Sequence, residues 1–144
     1  KELGYVGFPN KIDTKIVNGI ILDNYIPVIT PMGLDDRGQT YNINADTAAG
    51  ALATSLKSRR LLLMTDVEGV YDKNKNLISE IKPGEAEKLI HEGTIKEGMI
   101  PKIRTCINAV ENGVRGVVII DGRKPHSILF ELFSDQGAGT LIRK

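Results

Sequence analysis

Three polar residues at alternate positions, together with one lysine further along the chain, are the residues best suited to chemistry. Asn42 and Asn44 carry amides and Asp46 a carboxylate, at the start of an alanine-rich segment that predicts a helix. Lys102 follows a glycine and a proline that predict the start of another helix. Helix starts suit a phosphate because they present free N–H groups and a positive dipole. A lysine held there by an aspartate predicts half of a phosphoryl-transfer site.

Each of these residues also has a plainer interpretation. Asn and Asp are preferred helix N-caps, so capping alone would explain one of Asn42, Asn44 and Asp46, although not all three. Glycine followed by a proline-led helix is common, which would explain residues 98–101. A lysine in the first helical turn opposes the dipole, however, and an anion near Lys102 would offset that cost.

Polar residues also follow two predicted strands. Residues 61–64 and 117–120 are continuous apolar runs, typical of buried parallel strands. Thr65 and Asp66 follow the first run, and Asp121 follows the second. Ligands of parallel sheets bind beyond the carboxyl ends of strands, so residues 65–72 (T-D-V-E-G-V-Y-D) predict the edge of a nucleotide pocket. A simple turn leaving the strand, with Gly69 in a left-handed conformation, is the alternative.

The sequence argues against several other kinds of site. Residues 72–76 resemble a calcium loop, but the sixth and twelfth positions are Leu77 and Pro83 instead of glycine and glutamate. There is no G-x-x-x-x-G-K-[ST] phosphate loop and no G-x-G-x-x-G after a strand. His91, His126 and the single Cys106 give no zinc spacing, so no metal site is predicted in the protein itself.

Composition sets the general class. The chain has 144 residues, of which 41% are hydrophobic and 26% charged, enough for one domain with a core. The net charge of +1 gives no electrostatic basis for binding nucleic acid or a membrane surface. No apolar run approaches the roughly 20 residues that span a bilayer. Cys106 lies in a helical apolar pattern and is predicted to be a core residue. Because the sequence begins at Lys1, we expect a fragment or a processed chain.

Apolar periodicity predicts alternating strands and helices, and therefore an α/β fold with a mainly parallel sheet. Proline and glycine mark several of the helix ends. The predicted strands are residues 26–29, 61–64, 117–120 and 140–142, with a hairpin over 70–78, and the predicted helices are residues 45–56, 85–92, 101–112 and 127–133.

Several segments together resemble the acetylglutamate kinases of the amino acid kinase family. The string over 65–72 is shared with glutamate 5-kinases, uridylate kinases and aspartokinases, so alone it is unspecific. The more specific strings are Y-N-I-N-A-D at 41–46, G-M-I-P-K at 98–102 and I-I-D-G-R at 119–123 with His126 and Ser127. The resemblance also includes residues 3–7, 26–29, 131–133 and 137–140, and so runs through most of the chain.

The resemblance implies a three-layer αβα sandwich and ATP-dependent phosphorylation of the γ-carboxylate of N-acetyl-L-glutamate, in arginine biosynthesis. By this likeness Lys102 stabilises the transferring phosphoryl group and Asp46 organises the catalytic lysines, while Asn42 and Asn44 bind the substrate. A carboxylate acceptor is already ionised near pH 7, so the absence of a catalytic histidine is consistent with this chemistry. The residues implied to line the nucleotide pocket are Thr65, Asp66, Gly69, Val70, Tyr71, Lys96, Gly98 and Met99.

The same likeness implies a metal ion, an oligomeric state, a cellular location and contacts with an inhibitor. Mg²⁺ is expected to bind mainly through ATP, and the full-length protein is expected to be a cytoplasmic homo-oligomer, or a plastid one in a photosynthetic eukaryote. The ending resembles arginine-inhibited members, in which Glu131 and Gly137 would contact the inhibitor. Val118 stands where that branch often has histidine, and its N-terminal helix has no counterpart here.

The likeness covers only the C-terminal half of the family's chain. Residues 1–144 are therefore expected to be the ATP-binding portion, with the substrate-binding half and its lysine, glycine-rich loop and arginine absent. Residues 8–10 (F-P-N) depart from the acidic, extended sequence usual there. Two alternatives stay open: an amino acid kinase with a different acceptor, and a nucleotide-binding module without turnover.

Overall fold

The computed structural model describes residues 4–96 and 98–144, so the predictions drawn from Lys1 and Leu3 lie outside the described residues. The described residues form two sheets with helices packed beside them. In chain order the elements are β1 (Val6–Gly7), α1 (Lys15–Leu22), β2 (Met32–Leu34), β3 (Thr40–Ile43), α2 (Ala45–Ser55), β4 (Leu61–Thr65), β5 (Glu80–Ile81), α3 (Pro83–His91), α4 (Met99–Glu111), β6 (Val117–Asp121), α5 (Ser127–Phe133) and β7 (Gly139–Ile142).

The larger sheet has the strand order β4-β6-β7-β5. Strand β6 lies in its interior, and all five of its residues are buried. Because side chains alternate along a strand, Val117 and Ile119 share one face, where they join the main core cluster. Val118 and Ile120 share the other face, and helix α5 packs against this strand. Helices therefore cover both faces of β6, as a three-layer α/β fold requires.

The main core lies between this sheet and helices α2, α3 and α4. Cys106 is completely buried there beside Ile103 and Ile107, which confirms its prediction as a core residue. Burial raises the pKa of the Cys106 thiol to about 12, so the side chain stays a neutral, apolar group at ordinary pH.

The smaller sheet has the order β1-β3-β2, with β3 parallel to β1 and antiparallel to β2. Strand β3 leads directly into helix α2 with only Asn44 between them. This connection carries the polar sequence of 41–46 from the sheet to the start of the helix, so both elements fix its geometry.

Most of the predicted elements are confirmed, and the fold class is the expected one. Strands β4 and β6 pair in parallel, whereas β7 runs antiparallel to β6. The predicted hairpin forms with a single bridge between Tyr71 and Leu77. Helix α4 begins at Met99, two residues earlier than predicted, because Pro101 can occupy the first turn, where backbone N–H groups have no helical acceptor.

The prediction of a buried strand at residues 26–29 is wrong. Ile26 and Val28 are 90% and 93% exposed, and no strand among the described residues pairs with this segment. An apolar run becomes a strand only where a neighbouring strand accepts its hydrogen bonds. Helix α1 and the short strands β1, β2, β3 and β5 were not predicted. Strands of two to four residues give little periodicity.

Candidate active site

At the start of helix α2, the residue that caps the helix differs from the residue that is a candidate for catalysis. Asn44 is the N-cap, and its side-chain Oδ1 accepts the Thr47 backbone N–H at 3.1 Å. Asp46 lies in the first turn of the helix and does not serve as the cap. Capping therefore explains Asn44, while Asn42 is exposed within β3 and needs another explanation.

The start of helix α4 provides the partner of Asp46. Gly98 is the N-cap and supplies no side-chain acceptor, so the first N–H groups of α4 have no side-chain cap at that residue. Lys102 is the fourth residue of this helix, and its Nζ donates a hydrogen bond to Asp46 Oδ2 at 2.6 Å. The anion that the lysine needs near a positive helix end is thus Asp46.

The Lys102–Asp46 pair is partly enclosed. Its side chains are 14% and 27% exposed, so water screens the pair less than it would an ion pair on the surface. An ammonium group has three donors, and the contact with Asp46 uses one of them. The remaining donors can bind a phosphate oxygen while the carboxylate keeps the lysine in place.

A close approach of helices α2 and α4 sets the geometry of this pair. Gly50 lies one helical turn after Asp46, and Thr105 lies three residues after Lys102. A Cβ at Gly50 would stand only 2.8 Å from Thr105 Cγ2, so only glycine lets the helices pack this closely. The absence of a side chain at one position therefore helps to bring the lysine to the aspartate.

The carboxyl ends of β4 and β6 lie side by side, as the parallel pairing predicts. Thr65 is in register with Asp121, and the Gly122 N–H donates to the Thr65 carbonyl at 2.8 Å. Asp121 is buried and binds the Arg123 guanidinium through both carboxylate oxygens, at 3.0 and 2.9 Å. These bonds, with the Arg123 backbone N–H, lower the pKa of Asp121 to about 2.

A second charged group lies beside this strand end. Glu68 pairs with Lys124 and accepts the Tyr71 hydroxyl at 3.2 Å. The Lys124 contact, followed by that hydroxyl, lowers the pKa of Glu68. Asp121 lies at the strand end where a ligand was expected from the sequence, whereas no role was predicted for Arg123, Glu68 or Lys124.

The predicted nucleotide-lining residues divide by their accessibility. Thr65 is partly buried, and Asp66, Tyr71, Lys96 and Gly98 are exposed, so a ligand can reach them, whereas Met99 packs partly against the core. Val70 is 2% exposed, its N–H binds Thr140, and its carbonyl accepts the Ile78 N–H. Little of Val70 is left to contact a ligand, although Val70 fixes the path of the loop.

The structure gathers the predicted residues into two groups. One is Lys102 with Asp46, and the other is the β4–β6 strand end with Thr65 and Asp66. No hydrogen bond or ion pair joins the two groups within the described parts of the chain. Both lie on elements around the same core, because α2 packs against α4 and β4, and α4 packs against β6.

The two residues predicted to contact arginine lie together at a separate cleft of about 400 Å³. Glu131 is buried there, and its Oε1 accepts from Arg60 at 2.7 Å while Oε2 accepts the Ala138 N–H at 2.9 Å. A Cβ at Gly137 would come within 2.9 Å of Glu131 Oε2. Arg60 was not among the residues predicted for this site. Its guanidinium already pairs with Glu131.

Comparison with known proteins agrees with this fold. A family profile described as "Amino acid kinase family" matches residues 2–121. The chain belongs to the amino acid kinase family. Acetylglutamate kinases of Nitrobacter hamburgensis and of a Bradyrhizobium strain are each 57% identical to it over 143 residues. Those matches cover 99% of this chain and 48% of each relative, so the chain spans about half the length of these relatives.

Solved structures lead to the same fold. N-acetylglutamate synthase from Neisseria gonorrhoeae, complexed with coenzyme A and L-arginine, aligns with a TM-score of 0.91 at 29% identity, over 97% of this chain and 32% of that one. Carbamate kinase from Giardia lamblia bound to AMP-PNP aligns with a TM-score of 0.71 at 25% identity, over 96% of this chain and 47% of that one. Among the described residues, no helix combines the length and apolar character needed to cross a membrane.

Proposed function

We propose that this chain is the nucleotide-binding half of an acetylglutamate kinase. The full-length protein would transfer the γ-phosphoryl group of ATP to the γ-carboxylate of N-acetyl-L-glutamate, a step of arginine biosynthesis. The observation that carries the proposal is the 2.6 Å contact between Lys102 and Asp46, held between two helix starts. The 57% identity to acetylglutamate kinases supports this acceptor over others.

The proposed reaction requires the protein mainly to position the two substrates and to supply positive charge. The acceptor carboxylate is ionised near pH 7, so no general base is needed, and the main obstacle is repulsion between two anions. The Lys102 ammonium would stabilise negative charge as it moves toward the bridging oxygen, while Asp46 holds the ammonium in register. Asn42 is exposed within β3 and would donate amide hydrogens to the substrate, with Asn44 two residues further on.

The residues present fit a nucleotide. The Lys102 ammonium has donors beyond the one given to Asp46, and phosphate oxygens are acceptors. Mg²⁺ would arrive bound to the phosphates, its usual mode in kinases, and would neutralise part of their charge. The nucleotide would lie against the strand end, where Thr65, Asp66 and Tyr71 are accessible, and reach toward Lys96, Gly98 and Met99.

We propose that the substrate-binding half packs against residues 5–34. Large apolar side chains there face solvent, among them Phe8, Leu22, Ile26 and Val28. A cleft of about 830 Å³ opens between this segment and helix α2. An exposed apolar area of this kind is typical of a covered interface. A homo-oligomeric state, a cytoplasmic location and the arginine contacts of Glu131 and Gly137 stay predictions.

Two experiments decide among the candidates. The full-length protein should phosphorylate N-acetylglutamate with MgATP at a higher kcat/KM than glutamate, aspartate or uridine monophosphate. A higher kcat/KM for one of those would assign the chain to an amino acid kinase with another acceptor. MgATP binding to wild type, but not to Lys102→Ala, with no turnover of any acceptor would indicate a nucleotide-binding module instead.

A further inference from the structure

One buried threonine binds the nucleotide loop to the last strand of the sheet. Thr140, in β7, is completely buried, and its hydroxyl accepts the Val70 N–H at 2.8 Å. The same hydroxyl donates to the Ile78 carbonyl at 2.6 Å, and the Ile78 N–H donates to the Val70 carbonyl at 2.8 Å. These three bonds form a closed ring that joins the two arms of the hairpin to β7.

The packing around this ring leaves no room for adjustment. A Cβ at Gly69 would stand 2.4 Å from Thr140 Oγ1. A Cβ at Gly139 would stand 1.9 Å from the Ile119 carbonyl oxygen and 3.1 Å from the Glu68 carbonyl oxygen. The backbone of residues 68–70 therefore lies directly on the start of β7, at a distance that only glycines permit at 69 and 139.

The ring lies next to the residues that we place in the nucleotide site. The Thr140 hydroxyl fixes Val70, whose neighbours Gly69 and Tyr71 belong to the predicted pocket edge. Tyr71 then donates to Glu68, which pairs with Lys124 beside the strand end. Thr140 itself is fully buried and cannot touch a ligand, so any effect on the nucleotide must pass through the loop.

We infer that Thr140 is a positioning residue for nucleotide binding: its hydroxyl holds the loop of residues 66–71 in the shape that the nucleotide contacts. This inference rests on the proposed function, because it assumes that the loop lines the nucleotide site. Without this hydroxyl, neither the Val70 N–H nor the Ile78 carbonyl would be bonded to β7, and the hairpin would keep the bridge between Tyr71 and Leu77 and the bonds of the Asp72 carboxylate.

Two variants of Thr140 and one control separate positioning from stability. Thr140→Val keeps the shape of the side chain but leaves the Val70 N–H and the Ile78 carbonyl without their partner. Thr140→Ser keeps the hydroxyl and loses one methyl group. Ile142→Val is the control, since Ile142 is equally buried on the same strand but bonds to no part of the loop through its side chain. It should lower the melting temperature by about 3 °C.

The first measurement is MgATP affinity by calorimetric titration of the complete protein. Thr140→Val should weaken the affinity by about tenfold, equivalent to about 1.4 kcal/mol. Thr140→Ser should recover most of the loss, and Ile142→Val should bind like wild type. If Thr140→Val binds like wild type, or if affinity follows melting temperature across all three variants, Thr140 is only structural and the inference is wrong.

The second measurement needs no nucleotide and isolates the loop. Hydrogen exchange of the Val70 amide should quicken by about tenfold or more in Thr140→Val and stay near wild type in Ile142→Val. An unchanged exchange rate of the Val70 amide in Thr140→Val would show that the Thr140 hydroxyl does not restrain the loop. A different result is faster exchange of the Val70 amide in Thr140→Val together with no MgATP binding by the wild-type protein. That result would overturn the proposed function, and with it the role of the loop in nucleotide binding.

Discussion

Replacing Gly50 with alanine should weaken catalysis through the spacing of two helices. The new Cβ would lie 2.8 Å from Thr105 Cγ2, whereas carbon atoms in contact prefer about 3.5–4.0 Å. Helix α2, helix α4 or the Thr105 side chain must therefore move by roughly 0.7 Å or more. Asp46 and Lys102 lie within about one turn of this contact, so the movement reaches the ion pair.

The expected loss of stability is small enough for the Gly50→Ala variant to stay folded. Alanine gains about 1 kcal/mol over glycine in helix propensity, while overpacking costs about 1–3 kcal/mol. The free energy of unfolding should therefore fall by no more than about 2 kcal/mol. The Lys102–Asp46 distance of 2.6 Å should lengthen beyond the hydrogen-bonding range of about 3.2 Å, and kcat should fall by about tenfold or more.

The assay is steady-state kinetics of the full-length protein, with a rescue built into the same contact. Thr105→Ser removes the Cγ2 methyl group and keeps the hydroxyl that donates to the Pro101 carbonyl at 3.1 Å. Thr105→Ser alone should have near-normal kcat, and adding it to Gly50→Ala should restore most of the loss. Normal kcat in Gly50→Ala, or no rescue in the double variant, would refute the claim that the spacing of the two helices sets the geometry of the Lys102–Asp46 pair.

Three other perturbations test separate parts of the site. Lys102→Ala should lower kcat by about 10²-fold or more with a smaller effect on the KM for ATP, because its contact strengthens in the transition state; an unchanged kcat with a raised KM would reassign Lys102 to ground-state binding. Asp121 has a pKa lowered to about 2, against about 3.9 when unfolded, so its ion pair stabilises the protein above about pH 4 and is lost as pH falls toward 2. Asp121→Asn should therefore melt below wild type at pH 7, with the difference shrinking between pH 4 and 2, and a pH-independent difference would contradict this. Arg60→Ala frees the Glu131 Oε1 oxygen, so arginine should inhibit at about tenfold lower concentration; loss of inhibition would place Arg60 among the contacts to arginine, and a wild type insensitive to arginine would show the effector prediction to be wrong.

Strands β4, β6 and β7 of the larger sheet and the helices packed on it could be predicted because their signals are local, whereas the two-residue strand β5 could not. The apolar runs before Thr65 and Asp121 are long enough to identify buried strands, and helix α2 is rich in alanine. The smaller sheet could not be predicted in the same way. Its strands have two to four residues, and the segment at 26–29 has an apolar strand pattern but no neighbour to pair with among the described residues.

The candidate site was predictable in its residue types more than in their roles. Alternate polar positions at 42, 44 and 46 indicated more than a cap, and only coordinates could assign the cap to Asn44 and the ion pair to Asp46. The contributions of Gly50 and Thr140 depend on contacts 55 and more residues away in sequence, which no local pattern records. The Arg60–Glu131 pair spans 71 residues and was missed for the same reason.

Asp46→Asn in the full-length protein tests the central claim, that the Lys102–Asp46 pair serves phosphoryl transfer. Asn44 already caps helix α2, so the substitution leaves the cap intact and should cost at most about 1 kcal/mol from the lost charge at the helix start. It removes the charge that holds the Lys102 ammonium at 2.6 Å. We expect kcat to fall by about 10²-fold or more, with a melting temperature within a few degrees of wild type. Turnover near the wild-type value in a folded Asp46→Asn protein would contradict it.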